Sequence, residues 1–143
     1  MIAIDTNILV YARRAEAPHH AKARRLLQTL AEGDRPWALP WPCIYEYLRV
    51  VTHPRVFSPP TGIEAALADL ESLFESPSLT LLGEGVTHRA AMRQVLLSGR
   101  PTGNLVHDAH IAALLMENGI REFWTEDHDF ARFPGLKVIH PFA

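Results

Sequence analysis

Apolar residues along this chain fall into short continuous runs, separated by longer stretches in which they recur every three or four positions. Continuous runs of this length are typical of strands that are buried on both faces of a sheet. The continuous run within Met1 to Asp5 predicts a buried strand, and four further short segments rich in apolar residues are strand candidates, at Pro36 to Pro40, Leu79 to Leu82, Glu122 to Thr125 and Leu136 to Ile139.

The longer stretches predict amphipathic helices. Asp5, Thr6 and Asn7 are residue types that favour a helix N-cap, so a first helix should begin directly after the first strand. Gly33 is expected to end the second helix, and Pro42 stands where the first turn of the third tolerates proline. The later helices are expected at Ala21 to Ala31, Pro42 to Val51, Ile63 to Phe74, Thr87 to Leu97 and Val106 to Glu117.

Short strands that alternate with longer helices indicate an α/β domain with a mostly parallel central sheet and helices on both faces. No internal repeat or low-complexity tract divides the chain, so residues 1–143 are expected to form one domain. In open parallel sheets, ligands bind beyond the carboxyl ends of the strands. Acids at those ends are therefore the first candidates for function.

Composition narrows the function classes. The formal net charge of -2 leaves no overall basic field, which disfavours a protein that coats nucleic acid by bulk charge. No apolar run fits a membrane span or a signal peptide, so a cytoplasmic protein without membrane association is expected. The single cysteine, Cys43, excludes an internal disulfide and a cysteine-rich zinc site.

Five acids stand out by their positions. Asp5 ends the first strand, and Asp127 and Asp129 follow the fourth. These three should meet at the carboxyl edge of the sheet if the two strands are parallel. Glu46 borders the apolar stripe of the third helix, and Asp108 opens the last helix beside a run of apolar residues.

Each acid also has a purely structural explanation. Asp5 and Asp108 could cap helices or stabilise their first turns, Glu46 could pair with Arg49, and the acids after the fourth strand could cap the turn that follows. Converging carboxylates, however, repel one another unless a cation neutralises them, and hard oxygen ligands suit Mg²⁺ or Mn²⁺. Such an ion supports phosphodiester hydrolysis, and no serine elbow, P-loop or dinucleotide motif indicates another chemistry.

Four blocks of sequence carry a family resemblance. They are Ile2 to Tyr11 with its Asp-Thr-Asn start, Tyr45 to Val50, Gly103 to Ala113 and Thr125 to Phe130. In this order and at these separations they resemble PIN-domain ribonucleases, and most closely the VapC-type toxins of type II toxin-antitoxin pairs. The resemblance implies a three-layer α/β/α fold with a short-stranded, mostly parallel central sheet.

The resemblance also implies the chemistry. RNA phosphodiester bonds would be hydrolysed through a carboxylate-bound Mg²⁺ or Mn²⁺ ion and an activated water. The catalytic acids would be Asp5, Glu46, Asp108 and Asp127. The metal ligands would be Asp5, Asp108, Asp127 and Asp129. No acid of the pattern is missing, so an active enzyme is expected.

Several other residues are expected to support the acids. Thr6 and Thr125 match polar residues that line the site in the family, and Asn7 belongs to the same Asp-Thr-Asn start. Arg13 and Arg14 end the first predicted helix, close in sequence to Asp5, and are candidates for holding substrate phosphates.

The histidines leave more than one interpretation open. His107 and His110 lie on either side of Asp108, and His128 lies between two aspartates. They could form a zinc site, or they could be solvated or supporting side chains. The resulting His-Asp pairs also resemble those of HD phosphohydrolases, which are all-helical, so the predicted strands argue against that class.

The resemblance further implies a cognate antitoxin that blocks the acidic cleft, and a homodimer. Tyr47, Leu48 and the helix Ile63 to Phe74 could supply an apolar contact surface, although their pattern fits a core better. Two other functions are alternatives. A haloacid dehalogenase-type phosphatase would carry a second aspartate where this chain has Asn7, and a non-catalytic domain would bind RNA or protein without cleaving it.

Overall fold

The chain forms five strands, as the apolar runs predict. In chain order they are β1 (Ile2–Ile4), β2 (Trp37–Pro40), β3 (Leu79–Leu82), β4 (Glu122–Trp124) and β5 (Lys137–Ile139). The computed structural model describes residues 1–143 and pairs the strands in the order β3-β2-β1-β4-β5. Every neighbouring pair is parallel, which confirms the expected sheet.

Six α-helices connect the strands. They are α1 (Thr6–Arg13), α2 (His20–Glu32), α3 (Trp41–Val51), α4 (Ile63–Phe74), α5 (His88–Gly99) and α6 (Leu105–Glu117). A short 3₁₀ helix (His128–Arg132) follows β4 and has no counterpart among the predicted elements. Gly33 caps the end of α2, and Pro42 lies in the first turn of α3, as expected. Helix α6 begins at Leu105, so Asp108 lies in its first turn and does not open the helix as predicted.

The position of each strand explains its composition. Strands β1 and β2 lie inside the sheet, and all of their residues are buried, which accounts for their unbroken apolar runs. The edge strands β3 and β5 are only partly buried, and β5 carries the exposed Lys137. A charged side chain on an edge strand disfavours pairing with the strand of another chain.

The crossovers distribute the helices over both faces of the sheet. The chain passes from β1 to β2 to β3 through α1 to α4, and then returns past these strands through α5 and α6 to reach β4. Because crossovers between parallel strands are right-handed, this reversal places α5 and α6 on the face opposite the first four helices. The three-layer α/β/α fold is thus confirmed.

The same topology defines one position on the sheet for a ligand. Strands β1 and β4 are neighbours, and the chain leaves β1 toward β2 but leaves β4 toward β5, in the opposite direction. A crevice forms beyond the carboxyl ends of two strands whose connections diverge in this way. The loops that follow β1 and β4 therefore define the candidate site.

The apolar residues of α3 and α4 divide between core and surface. Tyr47 is buried and Leu48 packs against the core, which confirms the core interpretation for these two residues. Helix α4 buries Leu70, but Ile63 and Leu67 are 54% and 46% exposed. No helix in the structure combines the length and the apolar character needed to cross a membrane.

Candidate active site

Asp5 stands where the central strand β1 ends and α1 begins. Its main-chain amide donates to the carbonyl oxygen of Trp124 on β4 at 3.0 Å, which extends the contact between the two strands. Its buried side chain caps α1, because Oδ1 accepts a hydrogen bond from the Thr6 amide at 2.7 Å. The same carboxylate is thus both a helix cap and a group at the sheet edge.

A buried hydroxyl joins the ends of β1 and β4. Thr125 Oγ1 donates to Asp5 Oδ2 at 2.6 Å and accepts from the main-chain amide of Asp127 at 2.9 Å. Asn7 reaches the same pair from α1, since its Nδ2 lies 3.1 Å from Thr125 Oγ1 and 3.4 Å from Asp5 Oδ2. These hydrogen bonds fix the orientation of the Asp5 carboxylate.

Three of the other predicted acids meet in one cluster. Asp127 caps the 3₁₀ helix after β4, and its Oδ1 accepts from the Asp129 amide at 2.9 Å. Asp108 approaches from α6, and each of the three side chains offers an oxygen within 4.8 Å of the others. We call Asp108, Asp127 and Asp129 the acidic triad. Asp5 and Glu46 lie outside this triad.

The concentration of negative charge raises the pKa of two acids. The pKa of Asp108 is raised from 3.8 to about 7, first by burial and then by the charges of the surrounding carboxylates. Burial also raises the pKa of Asp5 to about 6, although the hydrogen bond from Thr125 opposes the shift. Carboxyl groups held in this way favour the binding of a cation.

Glu46 reaches the site from α3. Its Oε2 lies 3.3 Å from the hydroxyl oxygen of Thr6, which also lies 3.2 Å from the carbonyl oxygen of Cys43. Its Oε1 lies 3.7 Å from the guanidinium group of Arg49, so the structural pairing considered from the sequence is present. The Glu46 side chain is 46% exposed, which makes it the most accessible of the predicted catalytic acids. The ion pair with Arg49 holds it at the rim of the site.

A pocket of about 230 Å³ opens between these elements. It is lined by Asp5, Thr6, Asn7, Val10, Tyr11, Glu46, Val50, Asp108 and Asp127. Four of these residues are acids and none is basic. The pocket therefore concentrates negative charge and has no basic side chain in its lining to balance that charge. Helix caps and surface ion pairs alone do not require such a concentration of acids.

Two side chains near the pocket are not among the predicted site residues, although both lie in the blocks that carry the family resemblance. Tyr11 reads as part of the apolar stripe of α1, but it lines the pocket, where burial and the charges of Glu126 and Asp5 raise the pKa of its phenol. Glu126 donates its amide to Asn7 Oδ1 at 3.4 Å, and its buried Oε1 has no hydrogen-bond partner.

The two arginines proposed to hold phosphates are engaged elsewhere. The guanidinium of Arg13 lies 3.3 Å from Asp69 Oδ2, and neither arginine lines the acidic pocket. Arg14 lies 2.6 Å from Glu16 Oε1 and stacks over the ring of Phe57 at 4.4 Å. These contacts do not support a role for the two arginines in phosphate binding, which stays a prediction.

The histidines next to the site acids do not join the pocket lining. The ring of His128 packs against that of His140, with centroids 4.3 Å apart, and His110 bonds to Glu84 on the other side of α6. Burial raises the pKa of the Cys43 thiol well above its usual value, so Cys43 is a buried neutral side chain rather than a nucleophile.

The residues present fit a divalent metal ion. The acidic triad supplies hard oxygen donors from two separate segments, and Asp5 lines the same pocket as Asp108 and Asp127. Mg²⁺ and Mn²⁺ prefer such oxygen ligands, and the lack of a basic side chain in the pocket leaves the negative charge for an ion to neutralise.

Replacing Thr125 by valine tests the network that orients Asp5. Valine keeps the shape but leaves the Asp127 amide without its acceptor and removes a donor from the Asp5 carboxylate. We expect the free energy of unfolding, measured by urea denaturation, to fall by about 1 to 3 kcal/mol. Thr125→Ser keeps the hydroxyl and serves as the control. Equal losses in both variants would show that packing of the methyl group, and not the hydroxyl, is what matters.

Comparison with known proteins places this arrangement in a family. Residues 2–136 match the PIN domain. The chain is 36% identical over 139 residues to ribonuclease VapC48 of Mycobacterium tuberculosis, covering 97% of this chain and 96% of that protein. It is 39% identical over 141 residues to VapC ribonuclease Mb2897 of Mycobacterium bovis, covering 99% of this chain and 95% of that protein.

Solved structures agree on the fold. VapC20 of Mycobacterium tuberculosis, described as a sarcin-ricin loop cleaving toxin, aligns with a TM-score of 0.68 at 18% identity, covering 96% of this chain and 99% of that one. VapBC2 of Rickettsia felis, bound to a DNA fragment from its promoter, aligns with a TM-score of 0.67 at 19% identity, covering 97% of this chain and 98% of that one. The extent of the domain match and the identity to these relatives show that the chain belongs to the PIN-domain family, within its VapC ribonuclease group.

Proposed function

We propose that this protein is a metal-dependent endoribonuclease that acts as the toxin of a toxin-antitoxin pair. The observation that carries the proposal is the convergence of carboxylates from the end of β1, from α3, from α6 and from the loop after β4 on one pocket that no basic side chain lines. The curated relatives, which are named as VapC ribonucleases and match over nearly their full length, support the same activity.

Asp108, Asp127, Asp129 and Asp5 are the residues that would hold the ion, and Mg²⁺ or Mn²⁺ suits their oxygen atoms. When bound, such an ion supplies the Lewis acidity that activates water and stabilises negative charge on a phosphodiester. Until the pocket charge is neutralised, the carboxylates repel RNA phosphates. Metal binding is therefore expected to precede productive RNA binding.

The polar side chains around the acids position them. Thr125 and the Thr6 amide hold the two oxygens of Asp5, and the Asp129 amide holds one oxygen of Asp127. These donors leave less freedom for the carboxylates to rotate, so little reorganisation is needed during the reaction. Glu46, at the rim and partly exposed, is placed to accept a proton from a water or a substrate hydroxyl.

The partners follow from the same surface. An antitoxin segment with a basic side chain would pair with the uncompensated carboxylates of the pocket and so block the access of RNA. We also propose a homodimer, for which the exposed Ile63 and Leu67 on α4 offer apolar contact area. The RNA substrate and the antitoxin would both be met in the cytoplasm.

The test is cleavage of a mixture of structured RNAs by antitoxin-free protein. We expect cleavage with Mg²⁺ or Mn²⁺, none with EDTA, and none by Asp5→Asn protein with either metal. The mixture should contain ribosomal and transfer RNA, since these structured RNAs offer many different loops. End-labelled products show whether the cuts are internal.

Each alternative function gives a different result in the same experiment. Release of inorganic phosphate from a small phosphoester, without RNA cleavage, would indicate the phosphatase. RNA retention in a gel-shift assay without cleavage, together with an absence of toxicity on expression in cells, would indicate a binding-only domain. Cleavage that persists in EDTA would contradict the metal-dependent mechanism.

A further inference from the structure

A second cluster of possible metal ligands lies on another side of α6. Glu84 in the loop after β3, His88 at the start of α5 and His110 on α6 each offer a ligand atom within 4.8 Å of the others. The rings of the two histidines approach edge to face, with centroids 5.7 Å apart. We call Glu84, His88 and His110 the histidine cluster. None of its members lines the acidic pocket.

A buried carboxylate orients one of these histidines. Glu117, near the end of α6, has a side chain that is only 3% exposed, and its Oε1 lies 2.7 Å from His88 Nδ1. This bond favours the tautomer with the proton on Nδ1 and leaves Nε2 with its lone pair free. A carboxylate bonded to the distal nitrogen is the usual support of a metal-binding histidine, because it fixes the ring and makes the ligand more basic.

The same carboxylate also holds the loop that carries Glu84. Glu117 Oε2 accepts from the Gly85 amide at 3.1 Å and from the Thr87 hydroxyl at 3.3 Å. Two loop residues that follow Glu84 are thereby held against α6. The backbone next to Glu84 is thus in place before any ligand binds.

The remaining pair is close enough to share an ion after a small movement. His110 Nε2 lies 2.6 Å from Glu84 Oε1, whereas two ligands of a tetrahedral zinc ion lie about 3.3 Å apart, given bonds of about 2.0 to 2.1 Å. The Glu84 side chain is 54% exposed, so it can withdraw by this distance without disturbing the core. Its exposure also gives an ion access to the cluster.

We propose that the histidine cluster is a zinc-binding site, with His88, His110 and Glu84 as ligands and Glu117 as the residue that positions His88. Two imidazole nitrogens and one carboxylate oxygen suit Zn²⁺ better than Mg²⁺, which prefers an all-oxygen set. A bound water completes the coordination. The site clamps the loop after β3 and the start of α5 onto α6, the helix that also carries Asp108. This inference does not depend on the proposed nuclease activity.

The test is zinc binding to the full chain in excess Mg²⁺. Calorimetry measures the binding of Zn²⁺, and the visible spectrum of Co²⁺, used as a probe in place of Zn²⁺, reports the coordination geometry. The acidic triad could also bind Zn²⁺, so the titration is repeated with a chain that carries both Asp108→Asn and Asp127→Asn. We expect one Zn²⁺ per chain in both backgrounds and an intense Co²⁺ spectrum typical of tetrahedral coordination. His88→Gln and His110→Gln should each weaken binding at least about 10-fold, and Glu117→Gln should weaken it by about 10-fold.

His107→Gln is the matched control, because it makes the same change on the same helix outside the cluster. It should bind Zn²⁺ as the unchanged chain does. Circular dichroism in EDTA checks that each variant is folded. If the His88 variant is not folded, the test rests on substitutions of the partly buried His110 and the exposed Glu84. The proposal fails if the unchanged chain shows no saturable binding, or if the His110 and His107 variants bind Zn²⁺ equally well.

Discussion

Asp108→Asn is expected to lower the rate of RNA cleavage by at least about 100-fold, the scale of losing one charge-stabilising group from an active site. Asparagine keeps the size of the side chain but cannot supply the negative charge of a ligand. The fold should persist, since burial and then the charges of the neighbouring carboxylates raise the pKa of this carboxyl, and a neutral side chain relieves both the burial of charge and the repulsion. Single-turnover cleavage with saturating Mn²⁺, together with thermal unfolding in EDTA, measures both effects.

Asp5→Asn should cause a similar loss of activity with a different effect on stability. Asparagine is itself a good N-cap, so the hydrogen bond from the Thr6 amide can be kept. Its Nδ2, however, would face Thr125 and Asn7, which both donate to Asp5 Oδ2. We therefore expect this variant to fold but to be less stable than the Asp108 variant.

Asp34→Asn is the matched control for both variants, because it makes the same change at an exposed position away from the pocket. It should cleave RNA at the unchanged rate. Among the remaining acids we expect Asp127 to matter as much as Asp108, and Glu46 and Asp129 to matter less, because both are more exposed. A folded Asp108→Asn protein that still cleaves RNA at the control rate would rule out a catalytic role for Asp108.

The elements of the fold could be predicted from local patterns because local physics determines them. The buried runs of β1 and β2 and the N-cap type of Asp5 each depend on a few neighbouring residues. Strand order depends on contacts between distant segments, and no pattern within the chain specifies it. Only the general rule for parallel sheets allowed Asp5 and Asp127 to be placed at one edge.

Two groups of side chains make contacts that their positions in the sequence do not indicate. The sequence places Arg14 close to Asp5, but its guanidinium is turned toward Glu16 and Phe57, and the latter is separated from it by more than 40 positions. His107 and His110 suggest a zinc pair by their helical spacing. In the structure, His110 instead meets His88 and Glu84. Contacts between residues so far apart in sequence arise only when α5 packs on α6.

Without metal, the free energy of unfolding is expected to fall as the pH rises from about 4 to about 8, opposite to the trend of a protein stabilised by ion pairs. Asp5 and Asp108 have pKa values raised from 3.8 to about 6 and about 7. A carboxyl whose pKa is higher in the folded than in the unfolded state binds its proton more tightly when folded. Its stabilising effect is complete below the unfolded pKa and is lost as the pH passes the folded one.

The measurement is urea unfolding in EDTA at pH 5 and at pH 8, for the unchanged chain and for Asp108→Asn. Contributions from groups other than Asp108 are common to both proteins and cancel in the difference. Asp108 is about half buried, so solvent screening reduces its contribution. Between pH 5 and pH 8, we expect the free energy of unfolding to fall by about 1 to 2 kcal/mol less in Asp108→Asn than in the unchanged chain. A variant that follows the same pH profile as the unchanged chain would show that the Asp108 pKa is not raised in the folded protein.

Adding Mn²⁺ should reverse the trend. The ion binds ionised carboxylates, so it must displace the protons that Asp5 and Asp108 hold near neutral pH, and its affinity therefore increases with pH. At 100 times its dissociation constant a ligand stabilises the folded state by about 2.7 kcal/mol, and this gain should be greatest at pH 8. Asp108→Asn should lose most of it, whereas Asp34→Asn should keep it. Binding inside the pocket has to displace protons from carboxyls whose pKa is raised. Equal stabilisation of the unchanged chain by Mn²⁺ at pH 5 and pH 8 would therefore mean that the ion binds outside the pocket.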